Sequence, residues 1–340
     1  MYSNPFFAVI NHQSANRPPV WMMRQAGRVL PRYRQLTKTH PFRSIMADAK
    51  LAAEVTLMPI DDMGMDAAIL FSDILVIPEA LGVQVEWTSE GPAFPRPLLN
   101  VEHPIAELSL NLSHLDHVAD TLDEIQYQKK ADTPVIGFCG GPLTCLCYML
   151  GGRDKSLQFT DVVRYLYIHR EESLQLLEAL TCASEAYVHL QAKHGINTFQ
   201  IFESFAYVAP AELYQSMVLP FVRRITAAAR QHGLPVIFFP KGFGAGLQML
   251  TPEDCDFVSI DWQTPLSSAR TLVDSALGLQ GNMDPRMLFA PQPIIEQKLN
   301  YYLEFFREHP NYIFNLGHGL HKETPLENVR FVTEWFKHIQ

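Results

Sequence analysis

Along this chain, polar segments of helical period alternate with short runs that are almost continuously apolar. Each run ends in a cluster of polar or small residues. Residues 66–71 lead into Ser72-Asp73, 134–138 into Cys139-Gly140-Gly141-Pro142, and 198–202 into Glu203-Ser204. Residues 235–239 lead into Pro240-Lys241-Gly242, 257–260 into Asp261-Trp262, 277–280 into Gly281-Asn282-Met283-Asp284-Pro285, and 312–316 into Gly317-His318-Gly319. Continuous rather than alternating apolar character predicts parallel strands buried on both faces. The intervening segments predict helices: Leu176, Leu180, Ala183, Tyr187 and Leu190 recur at spacings of four and three, which puts them on one helical face. His194-Gly195 and His232-Gly233 read as helix ends, with glycine supplying the left-handed cap. Counting Val20-Trp21-Met22-Met23 as the first strand gives eight strand–helix units. The expectation is an α/β fold, a single-domain (β/α)8 barrel over residues 1–340, with function at the C-terminal strand ends. Residues 83–98, where Val83, Val85 and Trp87 alternate, predict an inserted β-hairpin.

Composition narrows the class. At 340 residues with 47% hydrophobic and 19% charged residues, the chain can bury a large core and is not of disordered type. No apolar run approaches membrane-spanning length, and no signal peptide precedes the first expected strand. The five cysteines, Cys139, Cys145, Cys147, Cys182 and Cys255, are odd in number and form no C-x-x-C pair, which suits a reducing, cytoplasmic setting. A net charge of −9 speaks against nucleic acid as a partner.

Charge is unevenly spread, and this changes the picture. Arg17, Arg24, Arg28, Arg32, Arg34, Lys38 and Arg43 precede the first acidic residue, Asp48. Two of them bracket Gln25-Ala26-Gly27 directly after an apolar run. Arginine offers paired planar donors to carboxylates and phosphates and stays charged at any useful pH, so the cluster reads as an anion site. Two other readings compete: a solvated basic face paired with acids elsewhere, and a transit peptide, against which Pro18, Pro19, Gly27 and Pro31 would break an amphipathic helix. Asp73, set amid apolar sequence, is either a carboxylate in a cleft or a helix cap. His318, between two glycines, either reaches into a pocket or is a satisfied structural histidine. Tyr148 and Ser204 carry no signal of their own. Gly242-Phe243-Gly244-Ala245-Gly246 with Asp261 hints at nucleotide binding, but lacks the third glycine of the dinucleotide fingerprint and reads as a permissive loop.

Taken together, Met23-Arg24-Gln25-Ala26-Gly27-Arg28, Phe71-Ser72-Asp73-Ile74-Leu75, Gly137-Phe138 through Pro142-Leu143-Thr144 to Tyr148-Met149, Phe202-Glu203-Ser204, Leu279 through Pro285, and Asn315-Leu316-Gly317-His318-Gly319 resemble the uroporphyrinogen decarboxylase family. The resemblance runs from about residue 18 to the C-terminus. It implies a homodimer of single-domain barrels, without metal or organic cofactor, that converts the four acetate arms of uroporphyrinogen III to methyls. The products would be coproporphyrinogen III and four CO2, in heme and tetrapyrrole synthesis. By position it assigns catalysis to Asp73, Arg24 and Arg28, and substrate binding to Arg24, Gln25, Ala26, Gly27, Arg28, Asp73, Tyr148, Ser204 and His318. Val29 and Tyr207 stand where the family often has Tyr and Gly.

The chemistry fits these residue types. An eight-carboxylate substrate meeting an acidic protein needs concentrated local cations. Four inward-pointing pyrrole N–H groups need one acceptor, which Asp73 would supply. Arginine is a poor proton donor near neutrality. His318, or a water held by Arg28, is the better acid by pKa. A rival reading is a barrel paralogue, the cobamide-dependent methyltransferase that activates a thiol on zinc. Its pattern calls for His-x-Cys where this chain has Phe239-Pro240-Lys241, and for Cys at the position of His318.

Overall fold

The computed structural model describes residues 2–88, 91–153 and 158–339. Its main sheet is parallel and seven-stranded. The strands are β1 (Ala68–Ile69), β4 (Val135–Gly140), β5 (Thr198–Glu203), β6 (Val236–Pro240), β7 (Phe257–Ser259), β8 (Gly278–Met283) and β9 (Tyr312–Leu316), in that spatial order. The hairpin strands β2 (Glu86–Thr88) and β3 (Gly91–Ala93) pair antiparallel. The expected hairpin is therefore present, and its turn at residues 89–90 lies outside the described residues.

Residues 20–23, the first expected strand, bridge β9 and the start of β1 and curl the sheet into a barrel. Phe314 N donates to Pro19 O (2.9 Å), Trp21 N to Phe314 O (3.4 Å), and Asp66 N to Val20 O (2.8 Å). The segment makes a single bridge, Val20 with Phe314, rather than a ladder. The physical reason is competition from side chains. Asp66 Oδ2 accepts from Val20 N (2.8 Å), Gln25 Oε1 from Met22 N (3.0 Å), and Asn315 Oδ1 from Met23 N (3.1 Å). β1 is likewise shorter than the apolar run, because Phe71 N turns to Thr56 Oγ1 (2.9 Å).

Helices Ala49–Met63, Asp116–Gln128, Arg170–Lys193, Leu219–Arg230, Gln292–Glu308 and Leu326–Lys337 alternate with the strands. Leu176, Leu180, Ala183 and Tyr187 are buried on one face of Arg170–Lys193, as their spacing predicts. Gly195 (φ +89°) and Gly233 (φ +70°) follow their helices in the left-handed region, where a side chain would be strained. Inside the barrel lies a polar layer: Trp21 Nε1 donates to Gln280 Oε1 (2.9 Å), and Gln280 Nε2 to Ser259 Oγ (2.9 Å). Register then sets the rim. Gly140 is level with Phe202, Glu203 with Pro240, and Met283 with Leu316, so the polar clusters after these strands share one end. Among the described residues no helix is long and apolar enough to cross a membrane.

Candidate active site

The arginine loop owes its shape to a sharp reversal after Met23. Arg24 adopts φ +62°, a left-handed conformation that costs a non-glycine residue about 1–2 kcal/mol. Flanking bonds hold it there: Gln25 N donates to Met22 O (3.0 Å) and Leu320 N to Met23 O (2.9 Å). The fully buried Gln25 anchors the loop from below, Nε2 donating to Ala67 O (2.8 Å). Its side chain thus faces the barrel interior, while Ala26 and Gly27 sit half-buried between the two arginines. Any Cβ on Gly319 would run into the Arg24 side chain, which explains the second glycine of the Gly-His-Gly segment.

The basic cluster divides. Arg17 pairs with buried Asp66 (2.6 Å), Arg32 with Glu54 (3.1 Å) and Asp62 (3.2 Å), and Arg43 with Glu79. These belong to the paired-surface reading. Arg24 and Arg28 are exposed and make no ion pair among the described residues. Arg28 lies on the Tyr33 side, where its charge acts on that phenol.

Asp73 follows β1. Its Oδ1 accepts from Leu75 N (2.9 Å), which shapes the turn before the short helix Val76–Ala80. Leu75 is the N-cap of that helix and no side chain caps it, so Asp73 is not a helix cap. Oδ2 accepts no hydrogen bond from the described residues. Burial of the carboxyl raises the pKa to about 6; the Leu75 amide opposes this, Glu79 adds to it, and Arg24 and Arg43 pull it down. At neutral pH the group is mostly ionised, with one oxygen uncommitted.

The other expected residues sit on the same end of the barrel, and Tyr148 feels the Asp73 charge. Tyr148, on the helix Pro142–Gly151, lies between Phe94 (5.6 Å between ring centres) and Phe205 (5.2 Å). Burial, then the Asp73 charge, pushes its phenol up to about 12, so it stays a protonated donor. Phe94 follows the β2–β3 hairpin and brings that insertion over the site. Ser204, half-buried, directly follows β5. His318 accepts at Nδ1 from Gly319 N (2.6 Å), which leaves Nε2 to carry the proton. Burial foremost, then Arg24, Lys241 and His321, lowers its pKa to about 3. In the ligand-free protein His318 is therefore a neutral donor, not the acid its ordinary pKa suggested.

Sequence reasoning passed over two supporting groups. Glu203 is fully buried and accepts from Leu143 N (3.1 Å), Thr144 N (2.6 Å), Tyr214 OH (2.9 Å) and Thr144 Oγ1. It thereby fixes the start of the helix that carries Tyr148, and bare Gly141 leaves its carboxylate room. Its signal was a carboxylate at a strand end; only the fold reveals that every donor it needs lies beside it. Lys241, half-buried at the end of β6, faces the Tyr207 and Trp262 rings. The glycine-rich loop after it is tied down rather than left open: Asp261 Oδ2 accepts from Gly242 N (2.7 Å) and Oδ1 from Gln263 N (2.8 Å). Asp261 is thus a loop fastener instead of a ribose acceptor. Among the described residues no three His, Cys, Asp or Glu side chains converge as a metal-ligand set.

The likeness to known proteins covers the same ground. A family model described as uroporphyrinogen decarboxylase matches residues 1–339. Curated relatives named uroporphyrinogen decarboxylase include one from Syntrophotalea carbinolica, 37% identical over 94% of this chain and 92% of its own length. Another, from Pelobacter propionicus, is 36% identical over 94% of each chain. Among solved structures, a methyltransferase from Methanosarcina mazei superposes with a TM-score of 0.79 at 16% identity, over 98% of each chain. At that identity the likeness speaks for a shared barrel fold alone. By the family match over its whole length and by these relatives, the chain belongs to the uroporphyrinogen decarboxylase family.

Proposed function

We propose that this chain is a carboxy-lyase that removes the four acetate carboxylates of uroporphyrinogen III, giving coproporphyrinogen III and four CO2 in heme synthesis, with no added cofactor. It acts, on this reading, as a single barrel domain in a cytoplasmic homodimer. The observation that carries the proposal is Asp73 with a single hydrogen bond and one oxygen free of donors among the described residues, in the field of Arg24, which makes no ion pair among them.

Each step follows from elementary chemistry. A proton adds to a pyrrole ring carbon and makes the ring a cationic, iminium-like electron sink. The C–CO2 bond of the neighbouring acetate breaks, CO2 leaves, and its electron pair flows into that sink. The exposed methylene then takes a proton to become methyl, and the ring carbon gives one up, restoring the pyrrole. Each arm consumes one proton net. Asp73 accepts the inward N–H groups and stabilises the developing cation, a contribution of about 3 kcal/mol for a preorganised group. Arg24 and Arg28 hold carboxylates, while the Tyr148 hydroxyl, Ser204 and the Nε2–H of His318 donate to further oxygens and orient the macrocycle. A carboxylate beside His318 would raise its pKa again, so this histidine becomes a usable acid only once substrate is bound.

The test is direct. After exhaustive chelation and desalting, anaerobic incubation with uroporphyrinogen should yield seven-, six- and five-carboxylate species on the way to coproporphyrinogen, read by chromatography after oxidation. Activity that returned only with zinc and a cobamide would favour the methyltransferase reading and overturn this one.

A further inference from the structure

We propose that Lys241 is a further carboxylate-binding residue of the mouth, its ammonium held between the Tyr207 and Trp262 rings to take one side-arm carboxylate of the substrate. The inference rests on the proposed decarboxylase reading and deepens it.

Four observations carry it. Lys241 directly follows β6, on the same rim as Ser204 and His318. Its Nζ lies 5.5 Å from the centre of the Tyr207 ring and 5.8 Å from that of Trp262, within the range at which a cation is drawn to an aromatic face. It makes no ion pair among the described residues. The carboxylate that acts on it, Asp261, already has both oxygens committed to the Gly242 and Gln263 amides.

What surrounds the ammonium makes it unsatisfied. Burial foremost lowers its pKa, the Asp261 charge opposes this, and Arg24 adds a smaller push downward. Lys241 in turn lowers the pKa of His318. A half-buried ammonium with no ion pair among the described residues, in the field of a further cation at Arg24, gains from an arriving anion. Lys298 provides the contrast. It also lies over two rings, Tyr301 (4.2 Å) and Tyr302 (5.3 Å), but burial alone accounts for its lowered pKa and no second cation faces it. Lys298 is an ordinary side chain with its stem on apolar surface; Lys241 is a cation in wait of a counter-charge. Tyr207 forms one wall of this cradle. Gly242 (φ +72°) comes so near it that a Cβ there would sit 2.8 Å from the Tyr207 Cβ.

The experiment compares wild type, Lys241→Gln, Lys241→Met and Lys241→Arg, all checked by thermal melting. Binding of uroporphyrin, the oxidised eight-carboxylate ring, is titrated at several salt concentrations, and uroporphyrinogen turnover is measured alongside. Removing the charge should raise Kd and KM on the order of tenfold, leave kcat within about twofold, and flatten the salt dependence. Lys241→Arg should recover most of the binding. Kd, KM and salt dependence equal to wild type in both neutral variants would overturn the proposal, as would a loss confined to kcat with unchanged Kd. A wild-type protein that fails to turn over uroporphyrinogen would instead overturn the proposed function.

Discussion

Glu203 and Asp73 are both carboxylates at strand ends, at the same end of the same barrel, yet their surroundings give them opposite roles. Glu203 accepts four hydrogen bonds from Leu143, Thr144 and Tyr214 and is sealed from solvent. Asp73 accepts one, from Leu75, and is only partly buried. Burial raises the pKa of both. The first has its lone pairs filled by protein and serves the fold; the second keeps an oxygen free of donors among the described residues, and the proposed function gives that oxygen to donors on the substrate. A buried acid is informative for function only after its hydrogen bonds are counted.

The sharpest way to break this comparison is Asp73→Asn. The amide oxygen can still accept from Leu75 N, so the turn survives, but the charge that meets the pyrrole N–H groups is gone. Turnover should fall on the order of 10²-fold or more, while circular dichroism and melting remain those of a folded protein. Wild-type turnover in Asp73→Asn would sink the proposed mechanism.

Glu203→Gln should show the reverse pattern. One acceptor becomes an NH2 group facing amide and hydroxyl donors, and each polar group left unsatisfied costs about 1–3 kcal/mol. A clear drop in melting temperature is expected, together with loosened placement of Tyr148. Unchanged stability would mean that the four bonds to Glu203 do not hold the helix start.

Arg24→Lys probes the unpaired side of the basic cluster. Charge is kept while the planar fork is lost, and kcat/KM should fall about tenfold. The same exchange at Arg32, which already has two acidic partners on the surface, should change neither rate nor stability by more than about 0.5 kcal/mol. Equal effects at the two sites would erase the division between paired and unpaired arginines.

The smallest effect is one of pH. With a folded pKa of about 6 against an ordinary 3.8, Asp73 carries a stability penalty that is fully present above pH 6. The penalty fades as pH falls through that range and vanishes below about pH 4. Asp73→Asn should therefore melt on the order of 1–3 °C higher than wild type at pH 8, with the gap closing in acid. In the wild type, kcat/KM should fall on an acid limb near pH 6 as Asp73 takes up its proton. A limb well below pH 5 would place Asp73 in a wetter setting than its packing indicates.

Much of this was legible along the chain. Continuous apolar runs ending in polar clusters mark buried parallel strands and their functional ends, because a strand covered by helices on one face and barrel interior on the other has no polar side. The loop between Arg24 and Arg28 stood out by its charge, whereas Asp73 and the Gly-His-Gly turn each left two readings open and were singled out by the family resemblance. The first strand was legible as a strand but not as a single bridge, since Asp66 and Asn315, which with neighbouring Gln25 take its amides, come from distant parts of the chain.

The sequence by itself determined the fold class, the family and the identity of the chemical groups, because periodicity and local composition are properties of neighbouring residues. Tertiary structure alone decided which of those groups are free to act. Whether Arg17 is paired and Arg24 bare, whether Glu203 is saturated and Asp73 not, and whether His318 is neutral or charged all depend on partners dozens to hundreds of residues away. Those partners meet only when the sheet closes on itself, and they set the burial, hydrogen bonding and neighbouring charge that fix the state of each group.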